Sequence, residues 1–482
     1  MLLLLATLTT AAQAISPQGC RRGTPRSAVT RGAAGGQQHH TGGNFYMGDL
    51  HQLVVMAEFA DQAFLGDEAA TLQQWNKIFN TERLNEAPFK GSVHDYFYDQ
   101  SDGQLRLTFD LQYVKLSGKR ERYCSTESND ENSQYLVNDI MDQLELRTID
   151  WSRYDWNGDG FVNQLLIIYA GKGYGSFGGG NNAIWPHQWW LSEHKIDGTE
   201  DQYCSPRKVT DVNGKTWTVD CYCSLQELSS ENTYSTFGTI CHEYTHCFGF
   251  PDFYNGSFKY VGGWDLMDFG NYNGSGYCPP NYSGHERWFM GWLTPTELKT
   301  ATTVSNMAAL SDKQQAYLIR NDGYANEYYF VENRQQKGWD THLPGSGIVI
   351  FHIDYDASVW VSTTISANSY YTKHYVIFAA NNDTYVSSSS QWPYPYNGNS
   401  QLTNTSTPAA TLWHDNSDGT KLMNKPLTNM QVTDGLASFD FMGGATAITT
   451  QTLSAPYEIL YNLGTVSIVR YPNGEIKKVV KR

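Results

Sequence analysis

The 482-residue sequence predicts an α+β fold, in which a mixed α/β domain is followed by a β-rich domain. Between about residue 45 and residue 298, short apolar runs typical of strands alternate with amphipathic segments typical of helices. From residue 299 to about residue 442, brief aromatic and β-branched runs are separated by clusters of Asn, Ser, Gly and Pro. Hydrophobic residues make up 40% of the chain, which is enough apolar material for a sizeable core.

The chain begins with an apolar run that predicts export from the cell. Residues 1–14 end in Ala12-Gln13-Ala14, the small-x-small pattern of a signal-peptide cleavage site, and the run is too short to span a membrane. We therefore expect a signal peptide over 1–14 and a secreted, cell-surface or periplasmic protein. Residues 15–44 are rich in Arg, Gly, Gln and Ser, which predicts a flexible leader or a short pro-segment.

Hydrophobic periodicity defines the elements of the mixed α/β region, residues 45–298. Alternating or continuous apolar runs predict strands over 53–59, 104–111 and 164–170. Apolar residues at helical spacing predict helices over 68–79 and 134–146 and a further helix that starts at 92. The strand over 164–170 is apolar throughout, so we expect it at the centre of a sheet.

The remaining chain is expected to form a β-rich domain over 299–442 and a C-terminal tail over 443–482. Within the first, His352 and Asp354 share one face of a predicted strand, where satisfied polar groups are expected rather than a second metal site. The tail starts with Gly443-Gly444 and ends in strand-like runs tipped with Lys and Arg. It resembles a degenerate C-terminal sorting segment of type IX secretion, and a terminal hairpin is an equal alternative.

The most informative motif is a helical pair of histidines that flanks a glutamate. His242 and His246 are one helical turn apart, with about 5–6 Å between their Cβ atoms, so both imidazoles can bind one small ion. Glu243 then stands beside the metal, where a general base takes a proton from a zinc-bound water, as in the H-E-x-x-H signature of metalloproteases. The motif therefore predicts a catalytic zinc site.

The third protein ligand of this zinc has two candidates. Gly249 can end the helix in a left-handed conformation, which turns the chain so that Asp252 returns towards the metal. Glu286 is the alternative, since it lies on a predicted helix further along the chain. Between them, Met267 stands among glycines and asparagines in a segment similar to the Met-turn beneath the metal of metzincins.

With these motifs the chain resembles the secreted zinc metallopeptidases of the immune inhibitor A family, in its Bacteroides-type branch. The resemblance covers most of the chain and extends to residues 92–97, 155–160, 184–187, 286–293, 327–334 and 344–354. It implies a zincin/metzincin-like catalytic domain over 45–298 and an exported zinc endopeptidase, often supported by calcium. It also implies metal binding by His242 and His246, a base at Glu243, and a matching position at Asp252.

A short acidic loop matches part of a calcium-binding pattern. Oxygen-bearing side chains and a turn glycine occupy positions one, three, five, six and nine of an EF-hand loop: Asp155, Asn157, Asp159, Gly160 and Asn163. Position twelve is Leu166 instead of the bidentate glutamate, which excludes a complete EF-hand. We expect calcium here, and an Asx-rich turn without an ion is the alternative.

The charge balance limits the classes of partner. A net charge of -15 argues against nucleic acid and anionic membranes, because both would repel the protein surface. No segment of the sequence has the roughly 20 continuous apolar residues of a membrane-spanning helix. We expect a monomer that acts on protein or peptide substrates.

The eight cysteines are Cys20, Cys124, Cys204, Cys221, Cys223, Cys241, Cys247 and Cys278. An even number in an exported protein allows up to four disulfides, and buried free thiols are the alternative. Cys20 lies in the leader, where a thiolate could also cap the zinc of a latent precursor, although an ordinary disulfide or free thiol is favoured.

The sequence thus favours a secreted zinc endopeptidase in which Glu243 activates the attacking water. A non-catalytic binding protein on a protease fold is one alternative. A zinc hydrolase of narrow specificity, such as a glycopeptidase or an aminopeptidase, is another. An intact Glu243 favours an enzyme, because a binding protein has no use for a general base between two metal-binding histidines.

Overall fold

The computed structural model describes most of the chain in two compact units, Met1–Gly444 and Ala445–Arg482. The described residues are 46–124, 132–174, 183–196, 199, 202–230, 232–235, 237–256, 258–360, 366–444, 458–463, 466–472 and 474–480. The predicted signal peptide, the leader and Cys20 lie outside these residues. Within them, no helix is both long and apolar enough to cross a membrane.

A mixed sheet forms the centre of the first unit. Its strands are β1 (Gly48–Glu58), β2 (Leu105–Lys115), β3 (Leu165–Lys172), β4 (His187–Trp190), β7 (Cys221–Ser230) and β8 (Thr233–Tyr234). Five of them follow the order β2-β1-β3-β7-β4, and β8 also pairs with β7. The neighbours β2, β1, β3 and β7 run parallel, whereas β4 and β8 are antiparallel to β7. A separate hairpin pairs β5 (Arg207–Thr210) with β6 (Thr216–Val219).

Helices cover both faces of this sheet. Val54 and Met56 of β1 point into one apolar core, and Leu53 and Val55 point into another, as the two-residue period of a strand requires. The helices are α1 (Glu68–Asn80), α2 (Val93–Gln100), α3 (Ser133–Leu144) and α4 (Phe237–Cys247). Side chains of α1, α2 and α4 pack in the first core and those of α3 in the second. The predicted strands and helices of this region are confirmed within a few residues.

Side chains close the outer edge of the central sheet at β2. The Asn80 amide donates to the Phe109 carbonyl oxygen and accepts from the Phe109 N–H, both at 2.8 Å. The His94 ring lies 2.7 Å from the Leu107 carbonyl oxygen, measured from Nδ1. At this edge, both backbone groups of Phe109 and the carbonyl group of Leu107 are therefore satisfied by side chains.

The second half of the unit contains two antiparallel-rich sheets. Their strands are β9 (Thr296–Glu297), β10 (Thr302–Met307), β11 (Tyr317–Arg320), β12 (Glu327–Arg334), β13 (Gly347–Asp354), β14 (Tyr375–Ile377), β15 (Leu427–Thr433) and β16 (Leu436–Phe441). One sheet follows the order β14-β13-β12-β11-β9 and the other the order β10-β16-β15. Two short helices belong to this part of the chain, α5 (Gly284–Phe289) before β9 and α6 (Ala357–Trp360) after β13.

The five-stranded sheet shares a core with the central sheet. Phe330 and Phe351 belong to the same apolar cluster as Phe237 and Tyr244 of α4. A polar contact joins the two halves as well, since the Gly284 N–H donates to Glu332 at 2.6 Å. Packing is therefore continuous across residue 298, and the division into a catalytic and a β-rich domain at this position stays a prediction.

The second unit is a three-stranded antiparallel sheet. Its strands, in the order β17-β18-β19, are Glu458–Leu463, Val466–Arg470 and Ile476–Val480. These strands form a meander within the predicted tail. Its use as a sorting segment stays a prediction.

Candidate metal centre

Helix α4 carries the two histidines of the motif, and its sequence explains its close packing. Gly238 lies against the segment that contains Asn271, where an added Cβ would stand 2.0 Å from the Asn271 carbonyl oxygen. Only glycine permits this approach. On the same helix, the His242 and His246 rings face each other with their centroids 4.9 Å apart. Both side chains are buried in the interior.

The chain turns back after α4 as the sequence predicts. Gly249 adopts φ +104° and its N–H donates to the His246 carbonyl oxygen, which ends the helix. The turn brings Asp252 Oδ1 to 3.2 Å from His242 Nε2 and 3.3 Å from His246 Nε2. The ligand atoms of the three residues all lie within 4.8 Å of one another, and they form the one such group found in the described part of the chain.

The three side chains fit a metal ion. His246 Nε2 and Asp252 Oδ1 are buried atoms without a hydrogen-bond partner, although they face each other. Leaving such atoms unsatisfied in an interior is costly, and a bound cation would satisfy both. Two imidazole nitrogens and one carboxylate oxygen form a donor set of the kind that zinc binds, with a fourth position left for water.

Backbone carbonyl groups fix the orientation of both imidazoles. His242 Nδ1 lies 2.8 Å from the Leu266 carbonyl oxygen, and His246 Nδ1 lies 2.8 Å from the Phe250 carbonyl oxygen. A carbonyl oxygen only accepts, so each Nδ1 carries a proton and each Nε2 is the ring nitrogen left to bind a metal. This is the tautomer that a metal ligand requires.

His242 and Asp252 shift each other's pKa in opposite directions. Burial alone would lower the pKa of His242, but Asp252 and Glu243 outweigh burial and raise it to about 9. Burial alone would raise the pKa of Asp252, but the two histidines outweigh it and lower the pKa. The site therefore favours positive charge between its carboxylates, which is the charge that a bound cation supplies.

The segment of Met267 lies directly beside these ligands. Its carbonyl oxygen accepts a hydrogen bond from the Phe253 N–H at 2.8 Å, one residue after Asp252, and its side chain is buried. Asp268 fixes the loop by accepting from the N–H groups of Tyr260, Val261 and Gly262. The position matches the predicted Met-turn, while a contact between the Met267 sulfur and the metal stays a prediction.

Comparison with known proteins agrees with this geometry. Residues 53–292 match the catalytic domain of the immune inhibitor A peptidases, family M6. The chain belongs to this family. The family is one of peptidases. The match includes the central sheet from β1 onwards, α4 and the Met267 segment.

Two relatives show how far the likeness extends. Immune inhibitor A of Bacillus thuringiensis subsp. alesti is 27% identical over 289 residues, which is 51% of this chain and 40% of the relative. The pre-pro-metalloprotease PrtV of Vibrio cholerae serotype O1 (strain M66-2) is 30% identical over 255 residues, 48% of this chain and 25% of the relative. The chain thus spans well under half of the length of these relatives.

Glu286, the alternative third ligand, lies in a helix cap. Its carboxylate accepts from the Ser283 N–H at 2.6 Å while the Ser283 hydroxyl accepts from the Glu286 N–H, the reciprocal pattern of a capping box. Burial and then the charge of Asp265 raise its pKa well above the usual value. The structure groups Asp252 with the two histidines and does not include Glu286 in that group.

The acidic loop satisfies most of its own oxygens. Asp155 accepts from the N–H groups of Asp159 and Gly160, both at 3.0 Å, and from the Trp217 indole at 3.2 Å. Asn163 accepts from the Trp156 N–H at 2.7 Å, and Asn157 donates to Asp159 at 3.1 Å. These bonds fit the Asx-rich turn, and the family match gives calcium no support. A calcium ion at this loop stays a prediction.

Three polar residues near the motif in sequence are placed very differently around it. The Tyr254 ring stacks beside His242, with the centroids 6.3 Å apart. Tyr272 is exposed and contacts Phe269. His285 is fully buried among aromatic rings, including Tyr328. Of the three rings, that of Tyr254 lies beside a candidate metal ligand.

Three of the cysteines form a cluster between α4 and β7. No disulfide joins the seven cysteines of the described residues. Cys247 shares thiol hydrogen bonds with Cys221 and Cys223 of β7, and burial raises the pKa of Cys221 and Cys247 well above the usual thiol value. Five of these seven free thiols are buried, as the alternative to disulfides predicts, whereas Cys204 and Cys247 are partly exposed.

Sequence reasoning missed the backbone groups that build the site. The carbonyl groups of Phe250 and Leu266 orient the histidines, and Ala367 and Asn368 contact the segment of Asp252. Backbone carbonyls carry no side-chain signal. Residues 367 and 368 are more than 100 positions from the motif and have no recognisable spacing to it.

Proposed function

We propose that this protein is a secreted, zinc-dependent endopeptidase in which His242, His246 and Asp252 hold the zinc and Glu243 is the general base. The observation that supports the proposal most strongly is the convergence of two buried imidazole nitrogens and one carboxylate oxygen within 4.8 Å. The oriented tautomers and the unsatisfied atoms at His246 and Asp252 support it further. Secretion rests on the signal-peptide pattern at 1–14.

The proposed peptide-bond hydrolysis needs two roles from the protein, metal binding and proton transfer. A zinc ion, when bound, lowers the pKa of water and polarises a carbonyl group. His242, His246 and Asp252 hold their ligand atoms in place from one helix and its turn. Glu243, buried beside His242, accepts a proton from the attacking water and returns it to the amine that leaves when the peptide bond breaks.

The test compares two buried glutamates. Glu243→Gln removes the base but keeps the size of the side chain, so we expect casein hydrolysis to fall about 10²–10⁴-fold while zinc stays bound. Glu227→Gln is the matched control, because Glu227 is equally buried and its carboxylate binds the N–H groups of Leu65 and Gly171. This control should keep near wild-type hydrolysis. Chelation should abolish the wild-type activity and added zinc should restore it.

Two results would count against the proposal. Equal activity in wild type and Glu243→Gln would show that Glu243 is not the general base. A wild type that binds one zinc but leaves casein and a library of short peptides intact would favour the binding protein or the narrow-specificity hydrolase. The assay therefore uses residue 15–482 protein, both as isolated and after trimming of residues 15–44.

A further inference from the structure

The third ligand lies on an irregular segment that the second half of the unit holds in place. Asp252 and Phe253 follow the end of α4 and belong to no helix or strand. Their two carbonyl groups both point at one short segment from beyond β13. The Ala367 N–H donates to the Asp252 carbonyl oxygen at 3.0 Å, and Asn368 Nδ2 donates to the Phe253 carbonyl oxygen at 2.8 Å.

Asn368 uses its whole amide to join this segment to the sheet. Its Nδ2 also donates to the Tyr375 carbonyl oxygen at 2.7 Å. Its Oδ1 accepts from the N–H groups of His374 at 2.9 Å and Tyr375 at 3.0 Å. The side chain is fully buried. The amide therefore bridges β14 and the segment of Asp252 with four hydrogen bonds.

Tyr375 strengthens the same connection. Its ring stacks on Phe253 with the centroids 3.9 Å apart and the planes 11° apart. Its hydroxyl donates to Asp265 at 2.9 Å, two residues before Met267. Tyr375, at the start of β14, thus contacts Phe253 on one side of the ligand cluster and Asp265 on the other. Strand β14 lies outside residues 53–292, which the family match covers.

We propose that Asn368 is a positioning residue for the zinc ligand Asp252, so that the metal centre is completed by the second half of the unit. The inference rests on the proposed zinc site. A ligand on an irregular loop must lose conformational freedom when the metal binds, and bonds that fix the loop beforehand reduce this loss. Groups that orient a ligand typically contribute 10–100-fold to metal affinity.

The experiment measures zinc affinity by competition with a chromophoric chelator, so that hydrolysis is not needed as a readout. Asn368→Ala should weaken zinc binding about 10–100-fold. Asn333→Ala is the matched control. Asn333 is also fully buried, and its Nδ2 bridges the carbonyl groups of Met307 and Gly435 at 2.9 and 2.8 Å. We expect this control to lose thermal stability but to keep its zinc affinity within about twofold.

A double-mutant cycle with Asp252→Asn shows whether Asn368 acts through the ligand. In the Asp252→Asn background, Asn368→Ala should change zinc affinity by less than about twofold, because the ligand that it positions is gone. Should Asn368→Ala fail to fold, Asn368→Asp serves instead. It keeps the acceptor for His374 and Tyr375 and removes the donor to Phe253.

The outcomes separate this inference from the proposed function. A wild type without zinc affinity, or an Asp252→Asn variant that binds zinc as tightly as wild type, contradicts the proposed site itself. A wild type that binds zinc, an Asp252→Asn variant that binds it measurably more weakly, and equal affinities for Asn368→Ala and Asn333→Ala overturn the positioning role alone. An equal effect of Asn368→Ala in both Asp252 backgrounds also overturns it.

Discussion

Two clusters in this protein place a pair of histidines around one buried aspartate. At the metal centre, His242 and His246 lie 3.2 and 3.3 Å from Asp252. At the end of β13, His374 and His414 both lie 3.1 Å from Asp354 Oδ2. The distances are nearly equal, yet only the first cluster brings three ligand atoms within 4.8 Å of one another among the described residues.

The orientation of the rings accounts for the difference. In the first cluster, carbonyl groups bind both Nδ1 atoms and direct both Nε2 atoms at one point. In the second, His374 uses Nδ1 for both the carboxylate and the carbonyl group of Asp354, and the His414 side chain is 41% exposed. Proximity of His and Asp therefore does not identify a metal site. Burial and two Nε2 atoms directed at one carboxylate oxygen distinguish the candidate site.

The largest expected difference concerns zinc affinity. Asp252→Asn replaces a carboxylate ligand with an amide and should weaken zinc binding by more than about 100-fold, whereas Asp354→Asn should leave it within about twofold. Chelator competition on both variants measures this directly. Equal losses in the two variants would show that the second aspartate also binds zinc.

The pH dependence of stability is the second comparison. Burial lowers the pKa of His374, but Asp354 outweighs it and raises the pKa above 6.5, and this contribution to stability is lost as pH rises through the raised pKa. Burial raises the pKa of Asp354, but His374 and then His414 outweigh it and lower the pKa below 3.8, and this contribution is lost as pH falls through the lowered pKa. Both contributions are present between about pH 4 and 6.5.

Asp354→Asn should therefore lower the free energy of unfolding by about 1–3 kcal/mol in that window, and by less at pH 8. Glu327, Asp356 and His352 also face the cluster and stay unchanged in the variant. Urea unfolding of the metal-free protein at pH 5.5 and pH 8 measures the difference. A loss that grows towards pH 8 contradicts the assigned charges.

Glu286→Gln sharpens the choice of the third ligand. Burial raises the pKa of Glu286 well above its usual value, and glutamine has nearly the same shape and can keep the cap at Ser283. We expect a loss of less than about 1 kcal/mol in stability and zinc affinity within about twofold of wild type. A loss comparable to that of Asp252→Asn would make Glu286 a ligand instead.

The smallest effect is expected at His414. Its side chain is exposed and shares Asp354 with the more buried His374, so His414→Ala should change the free energy of unfolding by only about 0–1 kcal/mol. The same urea experiment at pH 5.5 tests this. A larger loss than that of His374→Ala would reverse the ranking by burial.

The grouping of side chains at the candidate metal centre was predictable because they occur in one short stretch. Helical spacing placed His242 and His246 together, and the glycine at 249 explained how Asp252 returns. The structure also shows His352 bonded to Glu327 at 2.7 Å, the satisfied polar group expected on this strand. Local geometry determines each of these features, so the sequence was sufficient for them.

Features that depend on distant contacts were not predictable. Asn368 and Tyr375 reach the site only because β13 and β14 pack against the core that contains α4, and one sequence gives no measure of that proximity. The continuity of packing across residue 298 has the same origin. Predicted strands and helices locate elements along the chain but do not show which sheets share a core.

The amide of Asn80 at the edge of β2 has a consequence for how the protein behaves in solution. An open strand edge can recruit another chain as an extra strand. Asn80 already satisfies both backbone groups of Phe109, so such a chain finds no partner at this residue. The edge of β2 is thereby closed to strand addition at Phe109.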